Sequence, residues 1–559
     1  MGIVITNTVP GNPVEATRDF FNLNSYCHID APAAPLGDPV VRSISTASEF
    51  NPWVQFITVD IRVLKTPDID VSAGGKLTVN TKGSYFICFN PLVDFTSGNG
   101  TVVCKIKVND SVVFETDSVV LYSGQDPEQI TCNTILTLEE GDVIVMTVDG
   151  SAACRVAGGT SCTMFKLHAS FSNVHYTAAA DEQTTTSNIA AYDSDIGGTV
   201  ATNLNGITFT ASNGVMTPST TGMYLYFSTW IYDTAYTAAN DSLAHKLCVT
   251  GSSSPFDEIN AGATAAITPL SHTYSLLRQV DSDQNASIKR SSTSASGFTF
   301  EKGTSWSFMD ISRDGFLPTS FFAGTLKNDS NLLAHSTVHD IYDDSNYGTF
   351  VFQDINALEE SSLGSNRGIV LDASDAGRIR FSESGDYLII SNFLCNNVQS
   401  GGSTFHGISV NDSATYAISN EFYIKNTYDP ITNVLVGIIS LEAGDTIRPQ
   451  IRPAGSLDID DGTSITIIRL GPSYPISSRR LTSARPRDTT ENFFDEQGLG
   501  DPIVDIKNTV ASSDKGDQRY RRAEQSPFRM NVNGPLTLRG RARSSLPFNV
   551  AAGKRGDEK

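Results

Sequence analysis

No stretch of this chain reaches the ~18 consecutive apolar residues of a membrane-spanning helix, and no basic region with a signal-type apolar core opens it, so a standard secretion route is not expected. No Cys-x-x-Cys occurs among the 8 cysteines, which removes the usual zinc and dithiol spacings. Gly-x-Ser-x-Gly, a phosphate-cradling Gly-rich loop and His-Glu-x-x-His are also missing, so nothing nominates a catalytic residue and no enzyme is expected. His335 and His339 have the spacing of helical metal ligands, but in a strand residues four apart lie about 13 Å from one another. Helical periodicity is itself hard to find.

Metal chemistry has one remaining opening. The acidic clusters Asp193/Asp195, Asp281/Asp283 and Asp458/Asp460/Asp461 sit near turn residues and supply oxygen ligands. None belongs to a full twelve-residue calcium loop with its closing Glu. The expectation is no cofactor, with calcium as the alternative. Charge is distributed unevenly: the formal net charge is −21, yet the last part of the chain has more bases than acids. The body therefore repels polyanions, which argues against nonspecific nucleic-acid or anionic-membrane binding there.

What is present is repetition. Gly83-Ser84-Tyr85-Phe86, Gly222-Met223-Tyr224-Leu225 and Gly385-Asp386-Tyr387-Leu388 each open an apolar run. Gly-Thr-Ser triplets follow 76, 81 and 77 residues later, at Gly159, Gly303 and Gly462. Val108-Asn109-Asp110-Ser111 and Val410-Asn411-Asp412-Ser413 lie at one offset from their tyrosines, and Leu138-Glu139-Glu140-Gly141-Asp142 returns as Leu441-Glu442-Ala443-Gly444-Asp445. The middle copy keeps these landmarks least well. A period of this length suits a domain rather than a solenoid repeat or propeller blade.

Strand signals fill each copy. Cys104-Lys105-Ile106-Lys107-Val108 alternates strictly, the period of a half-buried strand. The turns that follow at Asn109-Asp110, Thr250-Gly251 and Asn411-Asp412 have hairpin chemistry. Five cysteines crowd into the first copy; Cys104 reads as a buried hydrophobe, and Cys154 and Cys162 flank a Gly-rich turn across which they could pair. The runs after Gly-x-Tyr do not alternate. Tyr85, Phe86 and Phe89, then Tyr224, Tyr226 and Phe227, then Tyr387 and Leu388 form strands that need cover on both faces. These eight residues are the candidate assembly interface: one face meets the opposing sheet and the other needs a neighbouring subunit or domain, with a covering loop as the plainer alternative. Many short strands without helices indicate an all-β chain of three tandem antiparallel jelly-roll sandwiches with extended N- and C-terminal arms. The expected division is an arm at 1–50, jelly rolls at 51–175, 176–314 and 315–471, and a tail at 472–559.

The order Gly-x-Tyr-Phe, hairpin, Leu-x-x-Gly-Asp-x-Val and Gly-Thr-Ser-x-x-x-Phe resembles the globular head of complement and the related tumour necrosis factor superfamily. The resemblance spans roughly residues 51–471 and is better in the first and third copies. It implies trimers packed about a threefold axis and used for binding. The family's terminal Phe-x-Gly-x-x-Leu signature and a preceding collagen stalk are absent, so no particular ligand carries over. Threefold packing could come from three chains or from the three copies of one.

The ends read differently. Met1-Gly2-Ile3-Val4-Ile5-Thr6 matches an acylation pattern whose single chain would anchor only weakly. Beyond Gly471 the tail has seven prolines and no domain-like strand pattern. Its arginines Arg519, Arg521, Arg522, Arg529, Arg539, Arg541 and Arg543, with Phe493, Phe494 and Phe528, make it a candidate anchor that threads over other subunits. A solvated tail and a nucleic-acid contact are the alternatives. Three trimer-forming jelly rolls with an arm at each end suggest a virion structural protein: a capsid decoration, fibre or spike that contacts a host surface receptor or glycan. The partners expected are itself and other virion proteins. A capsid-forming shell protein with an inward Arg-rich tail, or a non-viral adhesion or lectin-like module, are the rival readings.

Overall fold

The computed structural model describes strands and tight turns between Ser25 and Gly471; residues 1–24, 185–205 and 472–559 lie outside the described residues, as do shorter stretches between strands. Ser25–Ala484 form one compact unit. The other unit, 1–24 with 485–559, falls wholly outside the described residues.

Three antiparallel jelly-roll sandwiches make up the first unit, each with an inner sheet of the same order. In the first, β1 (Tyr26–Asp30), β2 (Gly83–Asn90), β3 (Cys132–Leu138) and β4 (Ser161–Leu167) pair as β3-β2-β4-β1. In the second, β5 (Asn173–Thr177), β6 (Gly222–Thr234), β7 (Leu270–Val280) and β8 (Ser305–Asp310) pair as β7-β6-β8-β5. In the third, β9 (Phe321–Leu326), β10 (Gly385–Asn396), β11 (Ile431–Leu441) and β12 (Ser464–Gly471) pair as β11-β10-β12-β9. An outer sheet closes each sandwich, built in the first on Asn99–Val108 and Val143–Gly150 and in the third on Gly402–Val410 and Thr446–Arg452. The single helical turn described, Pro52–Gln55, is capped by Asn51, whose Oδ1 accepts from Trp53 N at 2.9 Å.

Two boundaries move relative to the sequence reading. Tyr26–Asp30, expected in the N-terminal arm, is a fully buried strand paired on both sides, to β4 and to Arg62–Lys65. Five residues are too short a run for their periodicity to stand out. Asn173–Thr177 straddles the expected boundary at 175 and pairs with β8, so it opens the second sandwich. Cys154 and Cys162 do not pair: Cys154 belongs to a small separate sheet, Cys162 to β4, and both are free, buried thiols.

The repeated motifs have local jobs that explain their recurrence. Each motif tyrosine donates its hydroxyl to the carbonyl four residues earlier, Tyr85 to Thr81 at 2.7 Å, Tyr224 to Thr220 at 2.8 Å and Tyr387 to Glu383 at 2.7 Å. The tyrosine thereby pins the turn that feeds its strand. The hairpin residues Asn109 (φ 51), Asp110 (φ 65), Asn411 (φ 52) and Asp412 (φ 55) have positive φ, the two-residue turn that matches strand twist. The corresponding turn of the second copy, Thr250-Gly251, lies outside the described residues.

That hairpin and the Leu-Glu-x-Gly-Asp turn also clasp one another. Asn109 Nδ2 donates to Asp142 Oδ1 at 2.7 Å while Asn109 Oδ1 accepts from Val143 N at 3.0 Å. Asn411 does the same with Asp445 at 2.7 Å and Thr446 N at 2.9 Å. Asp142 and Asp445 close their own turns by accepting from Glu139 N and Glu442 N. The turn glycines Gly141 (φ 92) and Gly444 (φ 100) hold a conformation that side chains resist.

Candidate interaction surface: three interfaces of one ring

Each inner sheet has one face in its own sandwich core, and alternation assigns the residues. Tyr85, Ile87 and Phe89 belong to the core cluster of the first sandwich, and Tyr387 and Ile389 to that of the third. Phe86, Cys88 and Asn90, like Leu388, Ile390 and Asn392, point the other way. All six are buried, so something covers that second face.

The neighbouring copies cover it. Strand β3 of the first sandwich packs on β8, β5 and β6 of the second; β7 of the second packs on β12 and β10 of the third, and on β11; β11 of the third packs on β4 and β1 of the first. The sequence of contacts closes on itself. Such a heterologous arrangement forms a ring when the rotation closes, and here three covalently linked copies complete it.

Equivalent residues meet at each joint. Asn133, Ser275 and Val436 occupy one position, each opposite the third residue after the motif tyrosine. Their backbone carbonyls all accept from a hydroxyl of the next copy: Ser305 to Asn133 O at 3.2 Å, Ser464 to Ser275 O at 3.4 Å, Thr163 to Val436 O at 3.5 Å. Side chains repeat the pattern where they can. Asn133 Nδ2 donates to Thr229 Oγ1 at 2.8 Å, and Asn392 Nδ2 donates to Ser275 Oγ at 2.9 Å. Between the first and second copies Phe86 meets Phe227 edge-on at 5.4 Å. The joint from third to first adds Gln129, which donates to Val434 O at 2.7 Å and accepts from Asn433 Nδ2 at 2.8 Å, and a hydrogen bond from the Tyr26 hydroxyl to Asp386.

The Gly-Thr-Ser triplet divides its labour within this contact. In the second and third copies its threonine bridges the backbone of the Gly-x-Tyr strand: Thr304 Oγ1 donates to Ile231 O at 2.8 Å and accepts from Ile231 N at 3.0 Å, and Thr463 does likewise at Leu394. Its glycine lets backbone approach from the next copy. A Cβ on Gly159 (φ 98) would lie 2.7 Å from Asn420 Cα, and one on Gly303 (φ 89) would lie 2.6 Å from Thr116 Cα.

The eight interface candidates thus split between two surfaces. Phe86, Phe227 and Leu388 lie on the ring-facing side, while Tyr85, Phe89 and Tyr387 lie in their own sandwich cores, with Tyr224 and Tyr226 on the matching face of β6. A continuous apolar run carries no parity, so composition alone could not sort them. Sequence reasoning missed Asn133, Ser275, Asn392 and Gln129, which are polar residues inside strands and leave no periodic signal. The serine of Gly-Thr-Ser was visible as a motif, although its reach into a neighbour was not.

Burial sets the titration of the histidines and thiols, on this surface and in the sandwich cores. Four histidines, His28, His175, His272 and His406, are buried, and desolvation holds each below its ordinary 6.5, at about 4, 3, 4 and 4. The thiols move the opposite way for the same reason, Cys27 up to about 12 and Cys154 to about 11, and Cys88 is also raised. Such thiols are poor nucleophiles.

Among the described residues no group of three or more His, Cys, Asp or Glu is placed to hold a metal. Asp281 and Asp283 flank a turn in which Asp281 N donates to Gln284 Oε1; His335, Asp193 and Asp195 lie outside the described residues, as do Asp460 and Asp461. So do the tail candidates Phe493, Phe494, Arg519, Arg521, Arg522, Phe528, Arg529, Arg539, Arg541 and Arg543. No described helix is long and apolar enough to cross a membrane.

No family model and no curated protein matches the chain. Solved structures similar to part of it include the Eiger TNF of S. frugiperda, at 13% identity over 32% of this chain and 100% of that one, with a TM-score of 0.20. Murine APRIL at pH 5.0 follows, with 15% identity over 27% of this chain and 98% of its own and a TM-score of 0.19; APRIL at pH 8.5 has 19% identity, the same coverage and a TM-score of 0.18. The fold assignment rests on the sheets described above.

Proposed function

We propose that the chain is a structural component of a virus or phage particle, carried on the exterior as a decoration, fibre or spike, and that it acts by binding and not by catalysis. The observation that carries this reading is the ring closed within a single chain. Each inner sheet is already covered by another copy, so assembly of the head consumes no outer sheet and requires no second chain. Its outer sheets remain for contact with other surfaces, including a host receptor or glycan. The acidic body suits an exposed position, and the tail, with its arginines and aromatics, suits attachment to other particle proteins.

Deleting residues 472–559 tests the anchor. The truncated chain is expected to keep its thermal melt and to be lost from purified particles; incorporation at the full-length level would overturn the role of that end. Intact particles treated with protease should lose the ring while the shell stays closed. The seven arginines from Arg519 to Arg543 also favour a second reading, a shell protein whose tail meets the genome. Nuclease-protected nucleic acid bound through the tail would select it.

A further inference from the structure

We propose that the ring is an acid-sensitive joint: one buried imidazole stands in each of its three interfaces, and protonating them opens the ring while the sandwiches stay folded. This goes beyond the structural role just argued and does not depend on it, because the ring is a property of the chain alone.

The placement is regular. His28 on β1 and His175 on β5 hold the same position, opposite Thr163 and Ser307. Each engages that hydroxyl through Nδ1, at 2.9 and 2.8 Å, and turns its other edge to the adjoining copy. His175 Nε2 meets Thr134 Oγ1 of the first copy at 3.3 Å. A methyl group on Gly437 of the third copy, at the position equivalent to Thr134, would stand 3.2 Å from His28 Cε1. In the remaining interface the equivalent position is Ala323, and the imidazole comes from the opposite side. His272 on β7 meets Thr432 Oγ1 of the third copy at 3.0 Å.

Among the described residues, little on the strands packed against these rings would compensate a positive charge. Strand β11, which faces His28 and His272, contains no titratable residue, and β3, which faces His175, contains only Cys132. Around His28 are Asp30, with 3.9 Å between Nε2 and Oδ1, Arg62, Lys65, Cys27 and Tyr26, with Cys162 and Lys166 on β4. Asp30 is already engaged by Arg62. For His175, its own strand carries Tyr176 and the end of β8 carries Asp310. For His272 the strands packed against it carry Tyr224, Tyr226, Tyr232 and Asp233 on β6, Asp386, Tyr387 and Cys395 on β10, Arg469 on β12 and Tyr122 on Val119–Tyr122, besides Tyr274 and Arg278 on β7 itself.

Closed and open rings then bind protons differently. Exposed imidazoles take a proton near 6.5, whereas the buried ones resist until about 4 for His28 and His272 and about 3 for His175. Closure is therefore at full strength above pH 6.5 and weakens as pH falls through the window below it. His406 differs in place, lodged within the third sandwich between Ser391 and Asn433.

Buried thiols report where the molecule opens. Cys88 is directly paired with Asn133 and Thr163, whose side chains reach neighbouring copies, so it faces the ring; Cys104 lies in the core of the first sandwich and Cys395 in that of the third. Full-length protein would be exposed to a pyridyl disulfide, which reacts with thiols in acid, from pH 7.5 to 4.5, and labelled sites mapped by mass. Labelling of Cys88, corrected for the reagent's own pH dependence, is expected to rise roughly tenfold or more before Cys104 or Cys395 reacts. In a His28→Gln, His175→Gln, His272→Gln variant that rise should vanish. Protection of Cys88 down to pH 4.5, its labelling together with Cys104 and Cys395, or an unchanged rise in the variant would each overturn the proposal. The wild-type series decides even if the variant does not fold.

Discussion

Asn90 is buried, and its amide nitrogen finds no partner among the described residues. The equivalent Asn392 donates to Ser275, and the equivalent Thr229 accepts from Asn133; Asn90 instead meets the joint at which Val436 stands in their place. An unbonded buried amide is costly, so Val436→Thr, which keeps the branched shape and adds an acceptor, should stabilise the chain by about 0.5–1.5 kcal/mol. In an Asn90→Leu background the same change should instead destabilise it, since the new hydroxyl then has no donor. Denaturant midpoints of the four proteins check the pair.

Glycines at this scale separate strain from contact. Gly141 and Gly159 both have positive φ, but a Cβ on Gly141 would meet nothing within 4 Å, whereas one on Gly159 would strike backbone of the third copy. Gly141→Ala should cost only the left-handed penalty, about 1–2 kcal/mol. Gly159→Ala should cost at least about 1 kcal/mol more; equal losses in thermal unfolding would mean that the copies are not in contact there.

Elements are held by side chains that bridge turns distant in sequence. Asn109 joins two turns 33 residues apart, which is why the hairpin and Leu-Glu-x-Gly-Asp motifs recur together. Asn109→Ala loses both side-chain hydrogen bonds and forces a left-handed alanine, a loss of about 2–4 kcal/mol. Asn109→Gly relieves the backbone and should cost about 1–2 kcal/mol. Equilibrium unfolding of both variants, and of the same pair at Asn411, would show whether the first and third sandwiches rely on the clasp equally. Both motifs were legible as turns, because Asn, Asp and Gly have local backbone preferences. Their partnership was not, since nothing in a turn's composition names what it touches.

For the whole molecule the consequential quantity is the second face of each inner sheet. A fragment carrying only the second sandwich, residues 173–311, would expose the ring-facing side of β6, β7 and β8, including Phe227. It should self-associate, as contiguous apolar surface of that kind does, and light scattering at micromolar concentration would register the difference from the intact chain. A monodisperse monomeric fragment would mean that the neighbours contribute little. Acid acts on the same surface: stability should be flat above pH 6.5 and should fall toward pH 4, as the unfolded chain takes up protons that His28, His175, His272 and His406 refuse while buried. Melting temperature against pH gives that profile.

Sequence by itself determined the strands, the hairpin turns, the three jelly rolls and the need for cover on both faces of the run after each tyrosine. Those properties are local, set by side-chain alternation, turn chemistry and the spacing of repeats. Only the tertiary structure decided which face each aromatic takes, that Tyr26–Asp30 belongs to the first sandwich, and that three copies in one chain supply the cover. These depend on which surfaces meet across hundreds of residues, through Asn133, Ser275 and the carbonyl of Val436, and contacts at that separation leave no period in the chain.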